Sequence, residues 1–171
     1  MKTICSNKTT AIIEADRYHM LSIIDDLRQA DQDEVRAASG LEPDMGLLDS
    51  WCRSMKTWAI IHKGEVAAVM GLVRNVKEEG VGVPWMLGTD AMDEVKIFFT
   101  KQSKKFILNE MLSEFEHLVN FVDARNKKAL GWLKYCGFEL SKPVPFGPDG
   151  IPFHRLYINR DMMEKICATQ Q

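Results

Sequence analysis

Lys101, Lys104 and Lys105 crowd into a short run with Ser103 among them. Ammonium groups placed this way can hold phosphates as point charges where backbone N–H groups cannot come close. Ser103 is a helix-capping residue type, which would set the lysines around the start of a helix. The same run also reads as a solvated helix face, the common fate of short charge clusters. Asn126 is the second polar group of interest. Its side-chain oxygen can accept an N–H two or three residues on, and that capping role needs no ligand. His19, His62, His117 and His154 are scattered and make no metal-binding spacing. Cys5, Cys52, Cys136 and Cys167 show no CxxC pair, and the first ten residues carry no leader pattern, so the thiols read as reduced in a cytosol-like compartment. Cys136 falls at a predicted helix C-terminus, where the dipole disfavours thiolate.

The elements that must position these groups follow from periodicity. Val119 to Val122 is a short strand, Asp123 to Asn126 a polar break, and Ala129, Leu130, Trp132 and Leu133 the apolar face of a helix. Gly137 stands where a left-handed residue ends that helix, and Phe138 anchors the exit. Upstream, Thr10–Glu14 suits an opening or edge strand. Asp16 can start a helix carrying Met20, Ile23, Ile24 and Leu27, and Asp31 opens a second that stops near Ser39-Gly40. Leu47 to Met55 reads as a third. Thr57–Ile61 and Glu65–Val73 form a hairpin across His62-Lys63-Gly64. Val81–Leu87 is a further strand, in which Pro84 requires an edge, an irregular spot or a bulge. Asp90 to His117 is helical with an expected break at Thr100 to Ser103. Glu139–Val144 pairs with Pro152–Asn159 across Gly147 to Gly150, and Arg160 to Gln171 reads as a polar tail. The helix between Val81–Leu87 and Val119–Val122 is long enough to make those strands parallel neighbours.

At 171 residues, 46% hydrophobic and a formal charge of −2, the chain has material for one core and no field to recruit nucleic acid. No apolar run approaches the ~20 residues of a membrane span. The expectation is a soluble intracellular protein of one domain, residues 1–171. Trp51, Trp58, Trp85 and Trp132 read as core aromatics, with Trp85 and Trp132 candidates to flank one cleft.

The unit from Val119 to Phe138 resembles the second conserved motif of the GNAT superfamily, the acetyl-CoA-dependent N-acyltransferases. Asn126, Ala129 and the Gly137-Phe138 pair stand where that motif has Asn, Ala three residues on, and a closing Gly-Phe. The run from Asn120 to Asn126, with Trp132-Leu133-Lys134 and the later stretch from Gly147 to His154, is similar to small GNAT-like proteins of tailed bacteriophages. The resemblance implies an α/β fold, a GNAT-like mixed twisted sheet with helices on both faces and a C-terminal β-hairpin. It implies acetyl-CoA as cofactor, with Met86, Leu87 and Gly88 on the strand that pairs with pantetheine and Asn126 beside it. Lys101, Ser103 and Lys104 would then substitute for the family's diphosphate loop.

Two departures bear on chemistry. The family's glycine-rich diphosphate loop has no counterpart, since Gly88 is the only glycine from 88 to 105. The tyrosine that the family places seven residues after its asparagine is Leu133 here. Tyr135 lies about 200° round the helix from it and is expected to face elsewhere. The resemblance therefore implies one of two functions. The first is an N-acyltransferase with an altered diphosphate site and an amine acceptor. The second is a catalytically inactive GNAT-fold phage protein, in the host cytoplasm or the virion, acting on a host or virion protein.

Overall fold

A computed structural model describes residues 1–169. One nine-stranded sheet runs through them: β1 (Thr3–Ser6), β2 (Thr10–Glu14), β3 (Ser54–His62), β4 (Glu65–Arg74), β5 (Val81–Gly88), β6 (His117–Asp123), β7 (Glu139–Leu140), β8 (Val144–Phe146) and β9 (Ile151–Asn159). The spatial order is β1-β2-β3-β4-β5-β6-β9-β7, with β8 also pairing with β9. Every pairing is antiparallel except β5–β6, which is parallel. The helices are α1 (Arg17–Leu21), α2 (Gln29–Ser39), α3 (Pro43–Arg53), α4 (Met92–Phe106), α5 (Lys127–Cys136) and α6 (Arg160–Ala168).

Helices cover both faces, so the sheet carries two apolar layers. Met20, Ile23, Leu27, Leu47 and Val69 pack under α1 and α3. The larger layer, with Trp58, Met70, Phe99, Phe106, Leu118 and Ile158, packs under α4, α5 and α6. Strand alternation makes this possible: on β4, Val69 faces one layer while Ala68, Met70 and Leu72 face the other.

Local signals read from sequence hold where one turn decides them. Asp16 caps α1, accepting from the Tyr18 and His19 N–H groups. Gly40 and Gly137 adopt left-handed φ of 72° and 96° at helix ends. Lys63-Gly64 turns the β3–β4 hairpin with φ of 51° and 90°.

Four expectations need correction. Thr10–Glu14 is interior, because β1, a strand unnoticed in the sequence, pairs outside it. The Asp16 helix ends at Leu21, and Ile23 and Leu27 reach the core from turns beyond it. Residues 160–168 form a helix with fully buried Met163, capped by Asn159, rather than a polar tail; Gln170 and Gln171 lie outside the described residues. The helix after β5 does not break at Thr100 to Ser103. Instead α4 runs unbroken through Phe106 and closes in a π turn, in which the Leu112 N–H reaches the Ile107 carbonyl at 2.8 Å. Ser103 does not cap there: its hydroxyl donates back to the Phe99 carbonyl at 2.6 Å, four residues earlier, and so stays within the helix.

Candidate active site

β5 and β6 pair only at Val81–His117 and Gly82–Leu118, then diverge. Pro84 helps end the ladder, since it has no N–H to donate. In place of a backbone bond, the Asn120 side chain spans the gap and donates to the Pro84 carbonyl at 2.7 Å. Beyond that bridge the strands enclose a cleft of about 1220 Å³, bordered by Trp85, Met86 and Leu87 of β5 and Phe121 and Val122 of β6. Helix α2 supplies one wall and α4 and α5 the other. The parallel, splayed pair expected from the sequence is present.

Two carboxylates of α2 border the cleft, one turn apart. Asp31 is buried, accepts from Arg28 Nε at 2.8 Å, and accepts the Gly88 N–H at 2.7 Å. Burial raises its carboxyl above the ordinary range, against the Arg28 charge and these hydrogen bonds. Glu34 accepts from Asn126 Nδ2 at 2.9 Å. Burial pushes its carboxyl up to about 7, and the neighbouring Asp31 and Asp123 charges add to the effect. A carboxyl poised near neutrality beside an open cleft has the properties of a general base. Asp123 behaves differently: despite desolvation, hydrogen bonds from Arg125 hold it below the usual carboxylate range.

The turn from β5 into α4 is closed on itself. The Thr89 N–H goes to the Ala67 carbonyl at 2.9 Å, and the Ala91 N–H to Thr89 Oγ1 at 3.3 Å. The Met92, Asp93 and Glu94 N–H groups turn back to carbonyls three residues earlier. These donors, which at many helix starts are left to bind an anion, are spent internally. Gly88 is explained by packing, since an added Cβ would lie 2.8 Å from Met92 Cγ and 3.0 Å from the Ala67 carbonyl.

Of the residues singled out from sequence, Met86, Leu87 and Asn126 border the cleft together. Asn126 caps α5 by accepting the Ala129 N–H at 3.1 Å and spends its amide N–H on Glu34. The lysine group is placed otherwise. Because α4 begins at Met92, Lys101, Ser103 and Lys104 lie in its second half, with Lys104 about 18 Å along the axis from the helix start. Ser103 is fully buried and accepts Trp132 Nε1 at 2.9 Å. Lys104 is buried with its Nζ 4.3 Å above the Tyr135 ring. Lys101 borders a separate shallow hollow with Asn7, His62 and Glu94. The cations at the cleft are instead Arg28, Lys96, Arg125, Lys127 and Lys128, and Lys128 pairs with Asp93 at 3.0 Å. Tyr135, expected to face elsewhere, borders the cleft along with Leu133, and Trp85 and Trp132 flank it. Glu34 and Asp31 were missed as site residues; the only hint in the sequence was acidic residues at the head of a predicted helix. No group of metal-binding side chains occurs among the described residues.

No family model matches the chain, and no curated protein matches it by sequence. Solved structures do match. An aminoglycoside N(6′)-acetyltransferase from Legionella pneumophila is 12% identical, with a TM-score of 0.68, over 94% of this chain and 98% of that one. A spermidine N-acetyltransferase from Vibrio cholerae in complex with CoA and spermine is 11% identical, with a TM-score of 0.64, over 92% and 99%. An acetyltransferase of the GNAT family from Bacillus anthracis is 9% identical, with a TM-score of 0.62, over 94% and 99%. The chain has the GNAT fold. Among the described residues the one parallel pair, β5–β6, is where the cleft opens; the strand expected over Glu139–Val144 is instead split into β7 and β8, which pair separately with β9, and β8–β9 forms the C-terminal hairpin. Among the described residues no helix is long and apolar enough to cross a membrane.

Proposed function

We propose that the protein is an acyl-CoA-dependent N-acyltransferase acting on a small amine, with Glu34 as general base. The observation that carries this reading is Glu34 itself: a carboxyl raised to about 7, bordering the cleft between the two splayed strands. The unpaired edge of β5 past Gly82, at Met86, would hold the amides of pantetheine and set the thioester beside Glu34. Glu34 takes a proton from the amine, whose nitrogen attacks the thioester carbonyl. The C–S bond then breaks, and the thiolate leaves and is protonated from water. Spermidine and aminoglycosides, the acceptors named for two structures of the same fold, make a primary amine the first class to test.

The diphosphate site of this reading is atypical. The β5–α4 turn has few N–H groups left to offer, so Lys96, Lys127 and Lys128 would hold the phosphates as point charges. Acetyl-CoA binding should then weaken markedly as salt rises through ordinary ionic strength, because exposed charges are screened over ~8–10 Å. The test is calorimetry with acetyl-CoA at low and high salt, followed by thiol release with a panel of amines for wild type and Glu34→Gln. Turnover that survives Glu34→Gln removes the assignment of the base.

The closed turn, with Asp31 on the Gly88 N–H, favours a second reading. In it the protein is a catalytically inactive member of the fold from a tailed bacteriophage, binding a host or virion protein in the host cytoplasm or the particle. Its phage origin is supported by the sequence resemblance alone. Absence of acetyl-CoA binding at low salt and millimolar ligand would select it.

A further inference from the structure

The cleft changes character along α4. Near the start of that helix it is bordered by Asp90, Asp93 and Lys96; past Phe99 and Thr100 it is bordered by Phe106 of α4 and by Ile107 and Met111 of the closing π turn. From Met92 to Ile107 the helix advances about 22 Å. At the far end these three meet Met70, Phe138 and Leu156, and all six are at most 6% exposed. Among the described residues no buried side-chain polar atom lacks a hydrogen-bond partner, so nothing polar at this end awaits a ligand. The π turn that closes α4 carries Ile107 and Met111, and π turns occur frequently at functional sites. Two of the six residues are methionines, whose unbranched side chains adapt to ligands of varied shape.

A two-carbon acyl group offers little apolar surface to these six side chains, and an apolar lining of this kind takes apolar ligands. The geometry points to a linear, medium-chain acyl group as the donor's cargo, its chain threaded between β5 and β6 onto Met70, Phe106, Ile107, Met111, Phe138 and Leu156. This rests on the acyl-CoA reading above and names its donor. Thioester and amine meet beside the general base, Glu34, and the chain fills the apolar end. Each methylene that leaves water contributes roughly four-fold in affinity, so several together separate octanoyl from acetyl clearly.

The test is calorimetry of the wild-type protein with CoA, acetyl-CoA and octanoyl-CoA at one low salt concentration, with octanoate followed separately through tryptophan emission, since Trp85 and Trp132 border the cleft. Octanoyl-CoA should bind at least ten-fold more tightly than acetyl-CoA. Met111→Trp, or the milder Ile107→Phe, should shrink that ratio to about three or less by filling the apolar end. Equal affinities, or weaker binding of octanoyl-CoA, overturn the inference and leave the acyltransferase reading standing. If no thioester binds, that reading has failed by itself. A saturable change in emission with octanoate then supports the chain site, and a flat trace overturns it.

Discussion

Glu34→Gln should stabilise the protein at pH 8 relative to wild type and lose that advantage by pH 5. Burial first, then the Asp31 and Asp123 charges, lift this carboxyl from an ordinary 4.5 to about 7 in the fold. Below pH 4.5 it is protonated both folded and unfolded, so it contributes no pH dependence. Between 4.5 and about 7 the folded protein holds a proton that the unfolded chain has released, so wild-type stability falls as pH rises through this window. Above about 7 the penalty is complete and constant. At ~1.4 kcal/mol per pK unit the full penalty is about 3 kcal/mol, and the solvent Glu34 retains reduces it to roughly 1.5–2. Glutamine avoids the charge and keeps an oxygen for Asn126 Nδ2, but it loses one acceptor, at a cost of about 0.5–1 kcal/mol. The net gain at pH 8 is therefore about 1 kcal/mol, and because pH 5 already lies above 4.5 the difference between the pH 8 and pH 5 effects is roughly 1–1.5 kcal/mol. Urea denaturation of both proteins from pH 4.5 to 8.5 measures this, with slopes compared to confirm the same transition. Parallel pH profiles for the two proteins, or a variant less stable at pH 8, would refute a raised Glu34 and with it the proposed base.

Gly137→Val should cost about 2–3 kcal/mol in denaturation midpoint, because φ is 96° there and a new Cβ would also overlap Ile166 Cδ1. An unchanged midpoint would contradict the left-handed stop. Asn120→Ala should cost about 1–2 kcal/mol by leaving the Pro84 carbonyl without its donor, and should speed amide exchange along β5 past Gly82. Unchanged exchange there would mean that the bridge does not hold the splayed strands. In native protein a thiol reagent at pH 8 should label exposed Cys52 quickly and leave Cys136 untouched, since burial lifts that thiol to about 12. Rapid labelling of Cys136 under native conditions would contradict its burial.

The sequence by itself determined the features that short stretches decide. Gly137 stops α5, Lys63-Gly64 turns a hairpin, and Asn126 caps a helix through an N–H three residues on. The parallel β5–β6 pair was also legible, because a crossover helix of that length leaves few other topologies. Long-range partners were not legible. Ser103 looked like a cap, yet its hydroxyl bonds back within α4, and Phe99 and Phe106, buried under the sheet, keep that helix continuous. That one difference moved the lysines from the head of the helix into its second half. Residues 160–168 looked like a tail because a single side chain, Met163, carries their deep burial. The site itself lies in contacts that no local pattern records: Asp31 to Gly88 across 57 positions and Glu34 to Asn126 across 92. A carboxylate in sequence is an ordinary acid. Only the packing of α2 over the splayed strands takes Glu34 out of water, and desolvation is what moves its proton affinity toward neutrality.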